Sequence, residues 1–385
     1  MTRISVFQST PRIVMGIGAS EKISDEIKRL SGKSVMIVTD PGLVKAGICD
    51  NIASSLVNAG LEVHRFDDVE PDPPFEIASK ASQAVKDSGA DIILGLGGGS
   101  SLDIAKVASI LVTNSDPVSS YFGIDMVPKP GLKTILVPTT AGTGSEVTPI
   151  AILSDTEEKL KKGIVSSHLF PAAAILDPML TLGLPAPVTA ATGMDALIHA
   201  VEAYTSLNAT AFTDLLAEQS IRLISSNLRT AFANGSNVQA RYKMLEGSLL
   251  AGMAFANAGV TAVHAFAYPI GAEFHIPHGV ANSIMLWPVM EFNMMGNLRK
   301  FANMAQFMGE ITDGLTEREA ALLAVDSFRD LIIDVEIPTS LSQYGIKDEH
   351  IPALAQGVMK VTRLLANNPR ELKQADAEKI YRKVL

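Results

Sequence analysis

The sequence predicts an α/β N-terminal domain built on a parallel sheet, followed by an all-α C-terminal domain. Three observations carry that expectation. Between residues 35 and 138, short apolar or β-branched runs alternate with helical stretches, the pattern of strands joined by crossover helices. The runs are nearly continuous in apolar residues, as strands covered on both faces must be. Beyond residue 178 the strand patterns stop and helical periodicity takes over.

Taken in order, VMIVTD (35–40) reads as a strand, followed by a helix-like stretch through Val57. LEVHRF (61–66) is a second strand, with a helix around 75–88. DIILGLGGG (91–99) is a third and leads into the helix SLDIAKVASILV; TILVP (134–138) is a fourth. AAAILDP (172–178) is the last strand-like run. PVTAATGMDALIHAVEAYTS and TDLLAEQSIRLISSNLRTAF then read as helices. DPMLTLGLPAP has three prolines in eleven residues, which sets the domain boundary near residue 182, giving domains 1–182 and 183–385. Without repeats or polar linkers, a cleft between the two domains is the expected place for a ligand.

Composition narrows the function classes. Hydrophobic residues are 47% and charged residues 19%, so the 385-residue chain buries a large core and is neither disordered nor fibrous. Thirty-two Lys and Arg against 41 Asp and Glu give a formal charge of −9, which argues against nucleic acid or an anionic membrane as partner. A lone cysteine, Cys49, excludes a disulfide framework and fits a reducing compartment. The N-terminal segment MTRISVFQSTPRIVMGIG has no apolar run of signal-peptide length, so a cytoplasmic location is expected. No Asp, Glu, Lys or Arg occurs between Glu246 and Glu273, a stretch long enough to span a bilayer. Asn257, His264, Pro269 and the lack of flanking Lys/Arg asymmetry make it a buried core helix and loop instead.

LGLGGGSSLDIAK places Gly97, Gly98 and Gly99 after a strand and before a helix that Ser100 or Ser101 can cap. Glycines admit close approach of the backbone, and a helix N-terminus offers N–H donors to a phosphate. The pattern is not G-x-G-x-x-G, so the usual dinucleotide fingerprint does not apply as written. Asp40, at the end of VMIVTD, suits either a ribose 2′-OH or a helix N-cap before Pro41, and its charge would select NAD over NADP. VPTTAGTGSEVTP (137–149) supplies hydroxyls and bare amides for a pyrophosphate or nicotinamide amide.

Asp195 and His199 lie four apart in GMDALIHAVEAY and so share a helix face, which Glu202 continues. His264 and His278 fall in the charge-poor region, in VHAFAYPIGAEFHIPHG. One carboxylate and three imidazoles form an N/O set for a borderline ion such as Fe²⁺ or Zn²⁺. Four of the seven histidines occur between residues 199 and 278, with few charged groups nearby to satisfy them, and a shared metal resolves that. His275, three residues before His278, suits a ligand or a proton relay, and spacing does not decide between them. Glu202 reads equally as a partner for a ligand imidazole or as a solvated charge.

The order GGGSSLDIAK, PTTAGTGSE, GMDALIHAVEAY and HAFAYPIGAEFHIPHGVAN resembles the iron-containing (group III) alcohol dehydrogenase family over nearly the whole chain. The resemblance implies a Rossmann-like dinucleotide-binding domain and a helical domain, the architecture shared with dehydroquinate synthase-like enzymes. It implies Asp195, His199, His264 and His278 as metal ligands, with Fe²⁺ the expected ion and Zn²⁺ sharing the same donors. It implies NAD held by Asp40, Gly97, Gly98, Gly99, Ser100, Thr139, Thr140, Thr143 and a lysine of KLKKG, Lys161 or Lys162. It also implies a homodimer or larger homo-oligomer. Two departures stand out. Tyr268 occupies the position where several relatives carry a relay histidine, leaving Tyr268 or His275 for that role. Ile150 stands where some members carry Asn.

The expected reaction is reversible hydride transfer between a small neutral primary alcohol and its aldehyde. No Lys or Arg occurs from Leu180 through Ile221 or from Met244 through Leu298, the segments that carry every expected ligand. A phosphorylated or multiply carboxylated substrate normally needs such a cation. The exceptions expected to reach the cleft are cations of the N-terminal domain, or Arg363 and Lys360 near the C-terminus. The competing expectations are a dehydroquinate-synthase-like lyase or cyclase that uses NAD transiently, and a hydroxyacid–oxoacid transhydrogenase.

Overall fold

The computed structural model describes residues 4–155 and 160–385. It forms two compact units, Ser9–Leu182 and Met1–Gln8 together with Gly183–Leu385. The sequence reading placed residues 4–8 with the α/β half. They cluster instead with the helical unit, where the Gln8 N–H donates to Asn257 Oδ1 at 2.7 Å and Asn257 Nδ2 donates back to the Gln8 carbonyl at 2.9 Å.

Among the described residues the α/β unit has nine strands: β1 (Ile13–Met15), β2 (Ser34–Val38), β3 (Glu62–Phe66), β4 (Ile92–Gly97), β5 (Gly123–Ile124), β6 (Lys133–Pro138), β7 (Ile150–Asp155), β8 (Leu160–Val165) and β9 (Ala173–Leu176). Six of them form one sheet in the order β1-β9-β6-β4-β2-β3, every neighbouring pair parallel. Its helices are α1 (Ile23–Arg29), α2 (Pro41–Lys45), α3 (Ile48–Asn58), α4 (Phe75–Ser88) and α5 (Gly99–Thr113). Strand residues alternate between two cores, as a period of two requires. Val35, Ile37, Ile92 and Leu94 pack with α1 and α3, whereas Met36, Val38 and Ile93 pack with α4 and α5.

Three features differ from the sequence reading. Gly47, at φ 74°, breaks the stretch after β2 into two helices. The second sheet, β5-β8-β7, was not anticipated: β7 is buried only at alternate positions and β8 carries two lysines, so neither resembles a core strand. β1 is three residues long and too short to register as a pattern.

The helical unit comprises α6 (Ala186–Thr205), α7 (Ala211–Ala233), α8 (Val238–Ala258), α9 (Ala262–Phe274), α10 (His278–Asn293), α11 (Leu298–Phe307), α12 (Glu317–Asp334), α13 (Ile351–Lys360), α14 (Thr362–Leu365) and α15 (Gln374–Arg382). α6 is buried around nearly its whole circumference from Gly193 to Thr205 and forms the axis on which α7, α8 and α10 pack. Among the described residues no single helix is long and apolar enough to cross a membrane. α8 and α9 reach that length only together, and they are bent by 101° at their junction.

Lys106 and Glu146 are ionisable side chains buried inside the α/β core. Burial pushes the Glu146 carboxyl up to about 7, with Lys106 opposing the shift, and Glu146 Oε1 has no partner among the described residues. In an unfolded chain this carboxyl titrates near 4.5. Between pH 4.5 and 7 the native state therefore binds more protons, and stability falls as pH rises through that window. The loss is bounded at about 3 kcal/mol. Glu146→Gln is expected to remove that slope, so its stability relative to the parent should climb from pH 4.5 to 7 and stay level above it. Denaturation midpoints measured across that range check this.

Candidate metal centre and nucleotide edge

In the helical unit α6 presents Asp195, His199 and Glu202 on one inward face, at the spacing a helix repeats. α9 brings His264 to it and α10 brings His278. Donor atoms of Asp195, His199 and His264, all buried, lie within 4.8 Å of one another. His264 Nε2 is 3.1 Å from His199 Nε2 and 3.8 Å from Asp195 Oδ1. His278 Nε2 also lies 3.8 Å from Asp195 Oδ1, on a half-buried ring at the first position of α10. Stacking on Phe255, with ring centroids 4.3 Å apart, fixes the His199 plane.

Glu202 resolves toward the first of its two readings: it is completely buried and its Oε2 meets His264 Nδ1. Its Oε1 accepts from the Thr261 N–H (3.0 Å), the Thr261 hydroxyl (2.6 Å) and the Val263 N–H (2.7 Å). A carboxylate only accepts, so His264 Nδ1 carries a proton, and whenever the ring is neutral its Nε2 offers a lone pair toward His199 and Asp195. Burial alone would lower the His264 pKa, but Glu202 and Asp195 outweigh it and hold it above the usual value. Burial would raise the Asp195 carboxyl, yet the three imidazoles and Asn282 hold it below its usual range. Asn282, which the sequence reading did not single out, donates to Asp195 Oδ1 at 2.8 Å and sits 3.1 Å from His278 Nε2. Its spacing of four from His278 on α10 was the available signal. Its Oδ1 is buried without a hydrogen-bond partner among the described residues. Two facing imidazole nitrogens beside a carboxylate and an orphaned acceptor form a donor set that a borderline divalent cation fits.

The two relay candidates separate in space. The Tyr268 ring lies 6.1 Å from the His278 ring. Burial raises the Tyr268 hydroxyl's pKa, with the Arg363 charge pulling it down. His275 is exposed and ends α9 in the left-handed region at φ 54°. Its backbone N–H donates to the Gly271 carbonyl at 3.1 Å, but its side chain makes no hydrogen bond, ion pair or ring contact among the described residues.

In the α/β unit the C-terminal ends of β2, β4 and β6 gather the other expected residues. The chain departs from β2 toward β3 and returns to β4 on its other side, the strand-order reversal at which such sheets bind ligands. Asp40 follows β2, and a Cβ on Gly97 would lie 3.2 Å from Asp40 Oδ2. The Thr139 N–H donates to the Gly97 carbonyl at 2.9 Å, and a Cβ on Gly99 would meet Thr143 Cγ2 at 2.7 Å. A Cβ on Gly98 would lie 3.6 Å from Thr140. Asp40 is an N-cap, accepting from the Leu43 N–H at 3.1 Å, and its Oδ2 is 3.5 Å from Ser101 Oγ. Ser100 and Ser101 do not cap α5. Gly98 holds the N-cap position, no side chain satisfies the first turn, and the serines lie within it. Lys161 and Lys162 are engaged on the second sheet, in ion pairs with Asp72 (2.5 Å) and Asp155 (2.9 Å).

Comparison with known proteins places this geometry in a family. Residues 10–178 match the family model described as iron-containing alcohol dehydrogenase, and residues 189–385 the one described as Fe-containing alcohol dehydrogenase family, C-terminal. The chain is 44% identical to long-chain-alcohol dehydrogenase 1 of Geobacillus thermodenitrificans, over 95% of this chain and 93% of that one. It is 42% identical to sulfoacetaldehyde reductase of Bilophila wadsworthia, over 95% of each. A crystal structure of a 1,3-propanediol oxidoreductase superposes with a TM-score of 0.97 at 40% identity, covering 100% of both chains.

Gly279 sets how closely α10 approaches α6. A Cβ there would come within 2.3 Å of the Ala191 carbonyl oxygen, a backbone atom that cannot swing aside. Gly279→Ala is expected to push His278 away from Asp195, weakening divalent-metal affinity at least tenfold and costing about 1–3 kcal/mol of stability. Metal titration and thermal denaturation of that variant check both.

Proposed function

This chain belongs to the iron-containing alcohol dehydrogenase family, and we propose that Asp195, His199, His264 and His278 hold its divalent ion for turnover of a small primary alcohol. It is an NAD-linked oxidoreductase acting between alcohols and aldehydes. The single observation that carries the metal assignment is the buried Asp195–His199–His264 cluster. When bound, the ion supplies Lewis acidity toward an alcohol or carbonyl oxygen, and NAD supplies the hydride acceptor.

The chain's own residues supply the rest. Glu202 keeps His264 in the tautomer that offers Nε2, and Asn282 orients Asp195. The apolar walls of α6 and α9 exclude water. Tyr268, beside His278, exchanges a proton as a neutral hydroxyl, since burial keeps it from ionising; its place supports it over exposed His275 as the relay. The open first turn of α5, with Gly97, Gly98 and Gly99, suits the pyrophosphate of NAD. Asp40 suits a ribose hydroxyl, and Thr139, Thr140 and Thr143 line the same edge. Lys161 and Lys162 would have to leave Asp72 and Asp155 to join them. The reading extends to a homodimer or larger assembly in the cytoplasm. Phe7 packs against Phe212 at 6.0 Å, and exposed Ile4, Val6, Leu207 and Leu215 add apolar surface that an oligomer would cover.

Chelation should abolish NADH formation from an alcohol panel, and adding back Fe²⁺ or Zn²⁺ should restore it. Undiminished turnover by metal-free protein would overturn the reading.

One observation favours a second substrate class. Arg363, on α14 packed against α9, lies close enough for its charge to bear on His264 and Tyr268. An alcohol with an anionic far end, such as the substrate class named for the Bilophila relative, would find a partner there. A neutral alkanol compared with a hydroxy acid or hydroxysulfonate of equal length decides. Under the first reading the alkanol has the higher kcat/KM and Arg363→Gln changes the ratio little. Preference for the anion, lost about tenfold in Arg363→Gln, would establish the second.

A further inference from the structure

Lys106 sits on α5 with its side chain completely buried. All of its polar partners but one belong to a single segment. Its Nζ donates to the Ser145 carbonyl at 2.9 Å and the Ile150 carbonyl at 2.5 Å, with the Thr148 carbonyl and hydroxyl at 3.5 Å. The remaining partner is Asp103, one turn earlier on the same helix, at 3.2 Å. Asp103 grips the same segment with its other bonds: Oδ1 accepts from the Ser145 hydroxyl at 2.5 Å and Oδ2 from the Ile152 N–H at 2.8 Å.

A buried ammonium is an expensive way to fill core volume, since desolvating it costs several kcal/mol that an aliphatic side chain would not incur. Burial pulls the Lys106 pKa below its ordinary value, with Asp103 opposing. What the lysine does that a leucine cannot is bind three carbonyls, those of Ser145 and Thr148 in the irregular stretch before β7 and that of Ile150 at the first residue of the strand. The segment it binds is the far end of the threonine loop. The near end is tied by the Thr139 N–H to the Gly97 carbonyl, and Gly99 packs against Thr143. The Ser145 N–H, already inside the clamp, donates to the Thr143 hydroxyl at 3.3 Å. Thr139 through Thr143 is therefore held at both ends across the glycine turn.

We propose that Lys106 and Asp103 are positioning residues for the nucleotide: they lock Ser145–Ile152 so that the threonine hydroxyls stay beside Gly97, Gly98 and Gly99. This rests on the reading that the glycine turn and threonine loop hold NAD. Neither residue touches the nucleotide in this account; both act through the loop, and Ile150 is among the residues they hold.

The test is a KM-against-kcat split in the metal-loaded enzyme. Lys106→Met should raise the NAD KM, and the NAD Kd read by fluorescence quenching, at least tenfold. The alcohol KM and the kcat at saturating NAD should stay within about threefold. Asp103→Asn, close in shape, should raise the NAD KM three- to tenfold and decides the matter if Lys106→Met does not fold. A folded variant with lowered Tm and unchanged NAD KM and Kd would overturn the proposal, leaving the pair a purely structural brace. Thr140→Val separates the two levels of argument. If it leaves the NAD Kd unchanged, the loop's cofactor role fails; if it weakens NAD while both clamp variants bind normally, only the clamp fails.

Discussion

Glu202 lies at 0% exposure, yet none of its oxygens is unsatisfied, and each bond fixes something the site requires. Oε1 takes the N–H groups of Thr261 and Val263, the donors that open the first turn of α9, so a side chain from α6 caps α9 from outside. Thr261 holds the N-cap position but makes no cap bond of its own; its hydroxyl donates to the same carboxylate. Oε2 then sets the tautomer of His264, three residues into the helix it caps. The start of α9, the rotation of His264 and the approach of α9 to α6 are thus one constraint. An ionised carboxylate inside an apolar helix bundle would be prohibitive alone. Three donors, an imidazole and the positive end of a helix make it tolerable.

The sequence showed much of this and hid the rest for physical reasons. Five strands of the main sheet were visible, four of them because strands buried on both faces must be apolar throughout; β3, at the sheet edge, is half polar and only partly buried. β7 and β8 were not, because a half-exposed sheet carries the polar residues and lysines that also mark loops. Asp195, His199 and Glu202 were readable as one face because a helix repeats on itself. The distances from that face to His264 and His278 depend on tertiary packing, and only the clustering of histidines in a charge-poor region hinted at them. Asn282 could have been found by the same spacing argument applied to α10. Lys106 had a signal as well: a lysine inside SLDIAKVASILV has too apolar a neighbourhood to be a solvated charge.

The two units bury charge to different ends. In the helical unit the titratable groups converge, with the His199 and His264 ring nitrogens facing each other beside the Asp195 carboxylate. In the α/β unit the cation is supplied by the chain, as Lys106, and its acceptors are the carbonyls of Ser145, Thr148 and Ile150 together with the Asp103 carboxylate. One arrangement turns donor atoms toward a common point, as a cation-binding set does; the other pairs a cation with backbone and so fixes it. This contrast separates a binding cluster from a brace more clearly than burial or shifted ionisation, which both share.

Charge balance also bears on substrate choice. Asp195 and Glu202 contribute two negative charges, the imidazoles none when neutral, and a divalent ion would bring the helical site to zero formal charge. Arg363 then decides the sign of the potential a substrate meets, because neither long segment around the ligands contains Lys or Arg. Its side chain is exposed, however, and water and salt screen a surface guanidinium to about 1 kcal/mol or less at such sites. An effect of that size tilts selectivity by up to about tenfold but does not make a carboxylate or sulfonate obligatory. A site built to demand an anion would bury that guanidinium and pair it bidentately, as phosphate and carboxylate sites do. The exposure of Arg363 therefore favours a neutral alcohol, with anionic ones tolerated, over a dedicated anion enzyme.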